Sequence, residues 1–481
     1  MEIMATKNKL IIWIFLLTTI FSLSIAFDLS PYLRGPAPYP PDWRWSYLFI
    51  NTFSKLWFPL TIAVSILFVV YITEEMQLKT IFKNKFIALI VLVLLSLLFQ
   101  LSVIYFSRAG LGVLLHRIID PNLNGYFTTS LHIKNITIFL KNYSQNVLSY
   151  SMHAQGHPPG AILFFYFINS IFKLLPSLNI NTLNINHKDV DLIWKSLSVY
   201  QKETALFSSI FIPVLSSLVL IPLYFVGELL YGARAGLRAS YLYIFVPSVV
   251  LFIPINDVFI PLISTTSFAI FLYALKRENN FYLALSTFIF SLGLFFSLSV
   301  LPLILIFLFF LFYYLYKKRI SLKAVLYFVI GLLLLPFCLI VFGINSLDLV
   351  KVLLSGLPKG RKYTTWLFYD LYDFFIFSGI AYLLTFSLQI TRILKVLFLK
   401  RKIKIDILLF SFTFMLFALD LSGSVRGEVA RIWLPFYSFL VIIIAGFITN
   451  FLNFSKKQII FFLLLQFMQI IVMQEFWVTL W

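Results

Sequence analysis

Residues 86–106 read FIALIVLVLLSLLFQLSVIYF, without one charged side chain. At about 1.5 Å of rise per residue, about 20 such residues in a helix cross the roughly 30 Å hydrocarbon layer of a bilayer. A helix apolar all round is either buried in a large core or immersed in lipid. The rest of the chain decides between these. Of 481 residues 61% are hydrophobic and 12% charged, against about 45–50% and about 25% in soluble domains, so a soluble protein is excluded. The 56 Phe, 25 Tyr and 9 Trp suit helices in lipid with rings at the interfaces. Lipid leaves no water for exposed backbone groups. The fold class expected is therefore all-α, a polytopic transmembrane bundle.

Outward from 86–106 the pattern recurs. Lys7 and Lys9 precede the apolar run Leu10 to Phe27, which is longer than a signal-peptide core of roughly 7–15 residues and reads as a retained helix. Further candidates are 46–72, 158–175, 204–227, 239–256, 258–275, 281–296, 299–316, 324–343, 374–391, 405–421, 432–450 and 458–475. Charge tests the set. With the N-terminus cytoplasmic and the basic stretch 392–404 on the same side, the presumptive inner segments hold 19 Lys and Arg in 53 residues, and the outer ones 12 in 108. That asymmetry follows the positive-inside rule and explains most of the +19 net charge without nucleic acid. Alternation requires an odd number of crossings between 157 and 276, where four candidates lie. The stretch 239–275 is the weak point, because Pro247, Pro254 and Pro261 bracket Asn256 and Asp257, and proline breaks helices. About thirteen spans are expected, with the C-terminus outside. The lone Cys338 excludes an intrachain disulfide.

The chemistry concentrates in the outer loop 107–157, which holds His116, His132, His153 and His157, with Arg108, Arg117 and Asp120. Loops of such length are usually functional or disordered, and the mixed apolar and polar residues of 131–148 suit short helices along the membrane surface. Gly156-His-Pro-Pro-Gly160 fixes an extended entry at His157 and then tolerates helix. It reads equally as a stiff turn or as a device holding His157 at the mouth of the next helix. His153 and His157 are four apart, as metal ligands on one helical face are, but the prolines oppose one continuous helix. Asp120, the only acidic residue of this loop, is either a salt-bridge partner or a general base.

Two more outer segments are polar beyond the needs of a turn. Residues 28–45 carry five prolines and pair Asp28 and Asp42 with Arg34 and Arg44, as a stiff, self-neutralised plug would. Residues 420–433 place Arg426, Glu428 and Arg431 at a membrane edge, where Lys359, Arg361 and Lys362 can join them, either as interfacial anchors or as an anion site.

These residues carry a resemblance. A membrane helix, an outward loop with an early acid and a tyrosine after it (Asp120, Tyr126), then His-Pro-Pro opening the next helix, resembles the GT-C superfamily of polytopic glycosyltransferases. The likeness is specific over about 107–175, with echoes at Gly232, Arg234, Pro254 and Asp257 and in the arginine-rich edge at 426–431. It departs from the usual pattern in having two spans before this loop and a single acid in place of a pair, so 1–85 reads as an N-terminal two-helix addition to a GT-C-like domain, 86–481.

The resemblance implies an inverting enzyme of the cytoplasmic (plasma) membrane and cell envelope. It would move a sugar from a polyprenyl-phosphate donor to an acceptor glycan, lipid or protein on the outer face, with Asp120 as base and His157 positioning donor or loop. Arg426 and Arg431 would bind phosphate, joined by Glu428, Lys359, Arg361, Tyr126, His153 and Asp257 as substrate-binding residues. No metal ligand set is assigned, and a divalent cation is a candidate cofactor. The competing reading is a lipid or solute carrier with Asp257 as its intramembrane site.

Overall fold

A computed structural model describes residues 2–49, 51–75, 78–176, 188–344, 346–355, 360–398 and 406–479. Nearly all regular structure among them is helical. Among the described residues eight helices are long and apolar enough to cross a membrane: Thr6–Ala26, Trp57–Glu75, Lys85–Phe106, Val199–Tyr231, Asn256–Arg277, Leu298–Tyr316, Lys323–Val341 and Lys456–Phe476. A bent pair, Tyr363–Ser378 and Ile380–Val396 meeting at 115°, makes a ninth candidate. Four shorter apolar helices accompany them, Gly160–Leu174, Asn280–Phe296, Ile407–Ser422 and Leu434–Asn450.

The Leu434–Asn450 helix is the axis of the bundle: every residue from Leu434 to Ile448 is buried. At the periphery, Lys323–Val341 buries only Ala324, Phe328 and Gly331, as a helix facing lipid does. Helix starts carry local signals. The Asn279 and Asp406 side chains cap Asn280–Phe296 and Ile407–Ser422, each taking an otherwise orphaned backbone N–H.

Three expected spans take other forms. The run 46–72 becomes helix only from Trp57. Before it, Ser46–Tyr47 pairs antiparallel with Trp477–Val478, and Tyr47 and Phe49 stack on Phe476 at 6.0 and 5.2 Å. Aromatic residues that look like lipid-facing helix by composition here pack against the chain's other end. The run 239–256 is not one helix either: Ala233–Ile244 gives way to the short Pro247–Leu251 helix and a 3-10 turn, Asn256–Phe259. Proline supplies the reason, since it donates no hydrogen bond to a preceding turn. Third, 374–391 is broken at Gly379, whose φ of +115° suits glycine alone. Gln469 meets the freed backbone, accepting from Ile380 N–H and donating to the Ile376 carbonyl, both at 2.9 Å.

Side-chain contacts sort the connecting segments into two ends. At one, Lys7 donates to the Asn453 carbonyl, Glu74 pairs with Arg238 at 2.7 Å, Lys85 with Glu228 at 3.3 Å, and Tyr231 donates to Asp406. At the other, Tyr372 donates to the Leu33 carbonyl, Trp366 to Asp42, and Arg361 to the Pro41 carbonyl. The segment 1–85 is thus tied into the bundle at both ends, and Thr52 is hydrogen-bonded to Glu475 near the C-terminus.

Candidate functional site

The end that gathers 28–45, 107–157, 360–372 and 423–431 holds a string of four alternating charges. Asp257 lies on the 3-10 turn after the broken segment. Its carboxylate is 3.6 Å from Arg431 Nε, Arg431 Nη2 is 3.0 Å from Glu428, and the other oxygen of Glu428 is 3.5 Å from Arg361 Nη2. Asp257, Arg431 and Arg361 are buried, so these pairs are little screened by water.

Local structure explains the convergence. Gly427 turns the chain at φ +91° and its N–H donates to Asp370 at 2.8 Å. Its missing side chain leaves room for the Arg361 guanidinium and the Trp366 ring. Arg361 and Arg426 each donate to the other's backbone carbonyl, clamping the two segments. Arg361 also lies over Trp366 at 5.4 Å, and Arg426 over Tyr363 at 5.7 Å. On the Asp257 side, Arg117 of the Gly112–Ile119 helix donates to the carbonyls of Leu251, Ile253 and Thr479. A planar guanidinium can serve several such acceptors at once. Full burial brings its pKa down to about 9, which still leaves it charged at neutral pH.

Against this string stand the outer-loop rings. The His157 and Tyr126 rings meet edge to face at 5.4 Å, and Tyr143 donates its hydroxyl to the His157 carbonyl at 2.8 Å. Burial holds the His157 imidazole below its ordinary pKa; Asp257 and Glu428 oppose that shift and Arg431 adds to it. Burial, Arg431 and His157 together push His153 down to about 3, although the Asn122 carbonyl accepts a hydrogen bond from it. Burial and the Asp257 charge raise the Tyr126 hydroxyl. At neutral pH the site therefore offers two neutral imidazoles and a protonated phenol beside paired arginines.

The structure brings together Asp257, Arg431, Glu428, Arg361, His157, His153 and Tyr126, with Arg426 on the adjoining loop. Asp120 stands at the edge, 3.0 Å from His116 Nε2, with Asn122 N–H donating to its other oxygen at 2.8 Å. Asn122 in turn holds His153, so Asp120 and His153 are linked through one residue. Lys359 lies outside the described residues. Asp257 and Glu428 are both engaged by Arg431, and among the described residues no group of three or more His, Cys, Asp or Glu converges as metal ligands do. Sequence reading passed over Arg117, Trp366 and Asp42 as positioning residues. Only Arg117 carried a signal, a lone cation within the apolar run 111–119.

Beside the site, a groove of about 360 Å³ runs along one face of the Ile407–Ser422 helix, lined by Phe410, Thr413, Phe414, Phe417, Ala418 and Leu421. It ends at Leu421, where Tyr363 donates to the Leu421 carbonyl and Arg426 to that of Gly423. No protein-family model matches the sequence, and no curated protein or solved structure is significantly similar to it.

Proposed function

We propose that this chain is a membrane glycosyltransferase that moves a sugar, with inversion, from a polyprenyl-phosphate donor to an acceptor hydroxyl on the outer face of the membrane. The observation that carries this reading is the apolar groove on the 407–422 helix, whose last lining residue, Leu421, stands two residues before Gly423, the carbonyl of which Arg426 engages. An isoprenoid tail suits the groove, and a phosphate suits the guanidinium groups at its end. About thirteen crossings with a cytoplasmic N-terminus belong to this reading.

In the reaction, the acceptor oxygen attacks the anomeric carbon as the bond from that carbon to the phosphate oxygen breaks. The proton of the acceptor passes to Asp120, which His116 orients. The departing polyprenyl phosphate keeps the bonding pair, and Arg426 and Arg431 stabilise its charge. His157 and Tyr126, held neutral, donate hydrogen bonds that orient the donor.

The test supplies purified chain with radiolabelled polyprenyl-phosphate sugar and separates free or transferred sugar from donor. Label leaving the lipid supports the enzyme. A carrier working through Asp257 instead moves the donor across a vesicle wall with its sugar–phosphate bond intact, and that outcome overturns the proposal.

A further inference from the structure

The outer loop contains a second concavity that the charge string does not use. It is a cleft of about 820 Å³ between the Tyr126–Leu131 and Ile136–Lys141 helices and the Val147–Ser149 turn. That volume lies within the range of small-molecule sites, about 300–1,000 Å³. Its wall carries the Phe139 and Tyr150 rings, nearly parallel with centroids 6.1 Å apart. Thr128, Asn135, Asn146 and Ser149 bring hydroxyl and amide groups to the lining, and Asn135, Asn146 and Ser149 are exposed. Ser151 adds a buried hydroxyl that has no hydrogen-bond partner among the described residues. No carboxylate lines the cleft, and its basic residues, Lys134 and His132, are both at exposed positions.

Each feature narrows the ligand. Aromatic faces are electron-rich and attract the slightly positive C–H face of an apolar or amphipathic ring. Amides and hydroxyls both donate and accept, which matches a ligand bearing many hydroxyls and no charge. A lipid tail would offer nothing to the Asn146 amide or the Ser151 hydroxyl, and a cation would find no carboxylate. From this combination we infer that the cleft binds a neutral sugar ring, the terminal residue of the acceptor glycan.

Position supports the assignment. Pro121 and Ser151 both line the cleft. Pro121 adjoins Asp120, and Ser151 is two residues from His153, whose ring is held by the Asn122 carbonyl. Calling the sugar an acceptor rests on the proposed transfer; the presence of a sugar in the cleft does not.

The experiment is saturation-transfer NMR on the full chain in nanodiscs, titrated with methyl glycosides of glucose, galactose, mannose and N-acetylglucosamine. At least one glycoside is expected to receive saturation through its ring protons. Asn146→Ala, at an exposed position, and Tyr150→Ala, at the ring wall, are each expected to weaken that signal at least fivefold. The Asn146 change keeps the backbone carbonyl that Ser149 uses, so it tests the cleft even where Tyr150→Ala fails to fold. No signal from any glycoside, or a signal unchanged in Asn146→Ala, overturns the inference. Glycoside binding without release of label from the lipid donor keeps the cleft and removes the transferase reading; release without glycoside binding does the reverse.

Discussion

Arg431 lies 3.6 Å from Asp257, joining the loop after the 407–422 helix to the broken segment that opens the 260–277 helix. Both side chains are at least nine-tenths buried. Removing Arg431 strands the Asp257 charge, at about 3–5 kcal/mol, whereas removing Asp257 leaves Arg431 its pair with Glu428 and costs less. Asp257→Asn and Arg431→Gln alone are each expected to lower the thermal unfolding midpoint in detergent, and the double variant to lose less than their sum. A double-mutant cycle measures the difference. Strict additivity would mean the two groups do not interact.

A second stability test concerns the break at Gly379. Gln469 serves both an N–H and a carbonyl that the interrupted helix leaves open, and it is fully buried. Lipid and core supply no replacement. Gln469→Leu keeps the volume and strands both groups, each at about 1–3 kcal/mol. Unfolding monitored in detergent should show a clear loss, with Gln469→Glu intermediate because it still accepts from Ile380.

How far these features were legible depends on range. The uncharged run 86–106 and the prolines around Asp257 speak for themselves, because span length and helix breaking are local properties. Arg426, Glu428 and Arg431 were legible as costly charges at a membrane edge. Their partners were not: Arg361 reaches Glu428, and Trp366 reaches Asp42, across long sequence separations that no periodicity records. Residues 46–56 misled because Tyr47 and Phe49 count as apolar whether they face lipid or stack on Phe476. Gly379 gave little warning, since one glycine in an apolar run interrupts a helix only where another chain segment satisfies the backbone.

His153 makes stability depend on pH. Its folded-state pKa, about 3, lies below the ordinary imidazole value of 6.5. Below that ordinary value the unfolded chain binds a proton that the folded chain refuses, so stability falls with acidification until pH approaches 3. Above it both states are neutral and the contribution is flat. Unfolding midpoints between pH 7.5 and 4.5 should fall for the wild type, and His153→Gln should show a shallower fall. Parallel slopes would place the pH dependence elsewhere.

Asp120 and His116 predict a graded kinetic effect under the proposed transfer. Asp120→Asn keeps size and one acceptor oxygen but not the basicity, and loss of a general base typically lowers the rate about 10²–10⁴-fold. His116→Gln leaves the carboxylate in place and removes only its orienting partner at 3.0 Å. Initial rates with labelled donor should therefore rank wild type, His116→Gln and Asp120→Asn in falling order, with the KM for donor little changed. Equal rates for Asp120→Asn and wild type would remove Asp120 as the base.

Trp366 carries the N-terminal segment's influence on the site. Its indole N–H donates to Asp42 at 2.9 Å, its ring lies under Arg361, and Arg361 Nε donates to the Pro41 carbonyl at 2.9 Å. Trp366→Phe deletes the hydrogen bond and part of the stacking surface while leaving Arg361 in the chain. Because Arg361 continues through Glu428 to Arg431, a looser Arg361 disturbs the groups assigned to phosphate rather than the base. Weaker donor binding, read as a KM raised about 3–10-fold, corresponds to roughly 0.6–1.4 kcal/mol, in the range of one lost hydrogen bond. Asp42→Asn, which keeps an acceptor oxygen, should fall between Trp366→Phe and wild type. A fall in kcat with KM unchanged would instead assign the segment 28–45 to the chemical step.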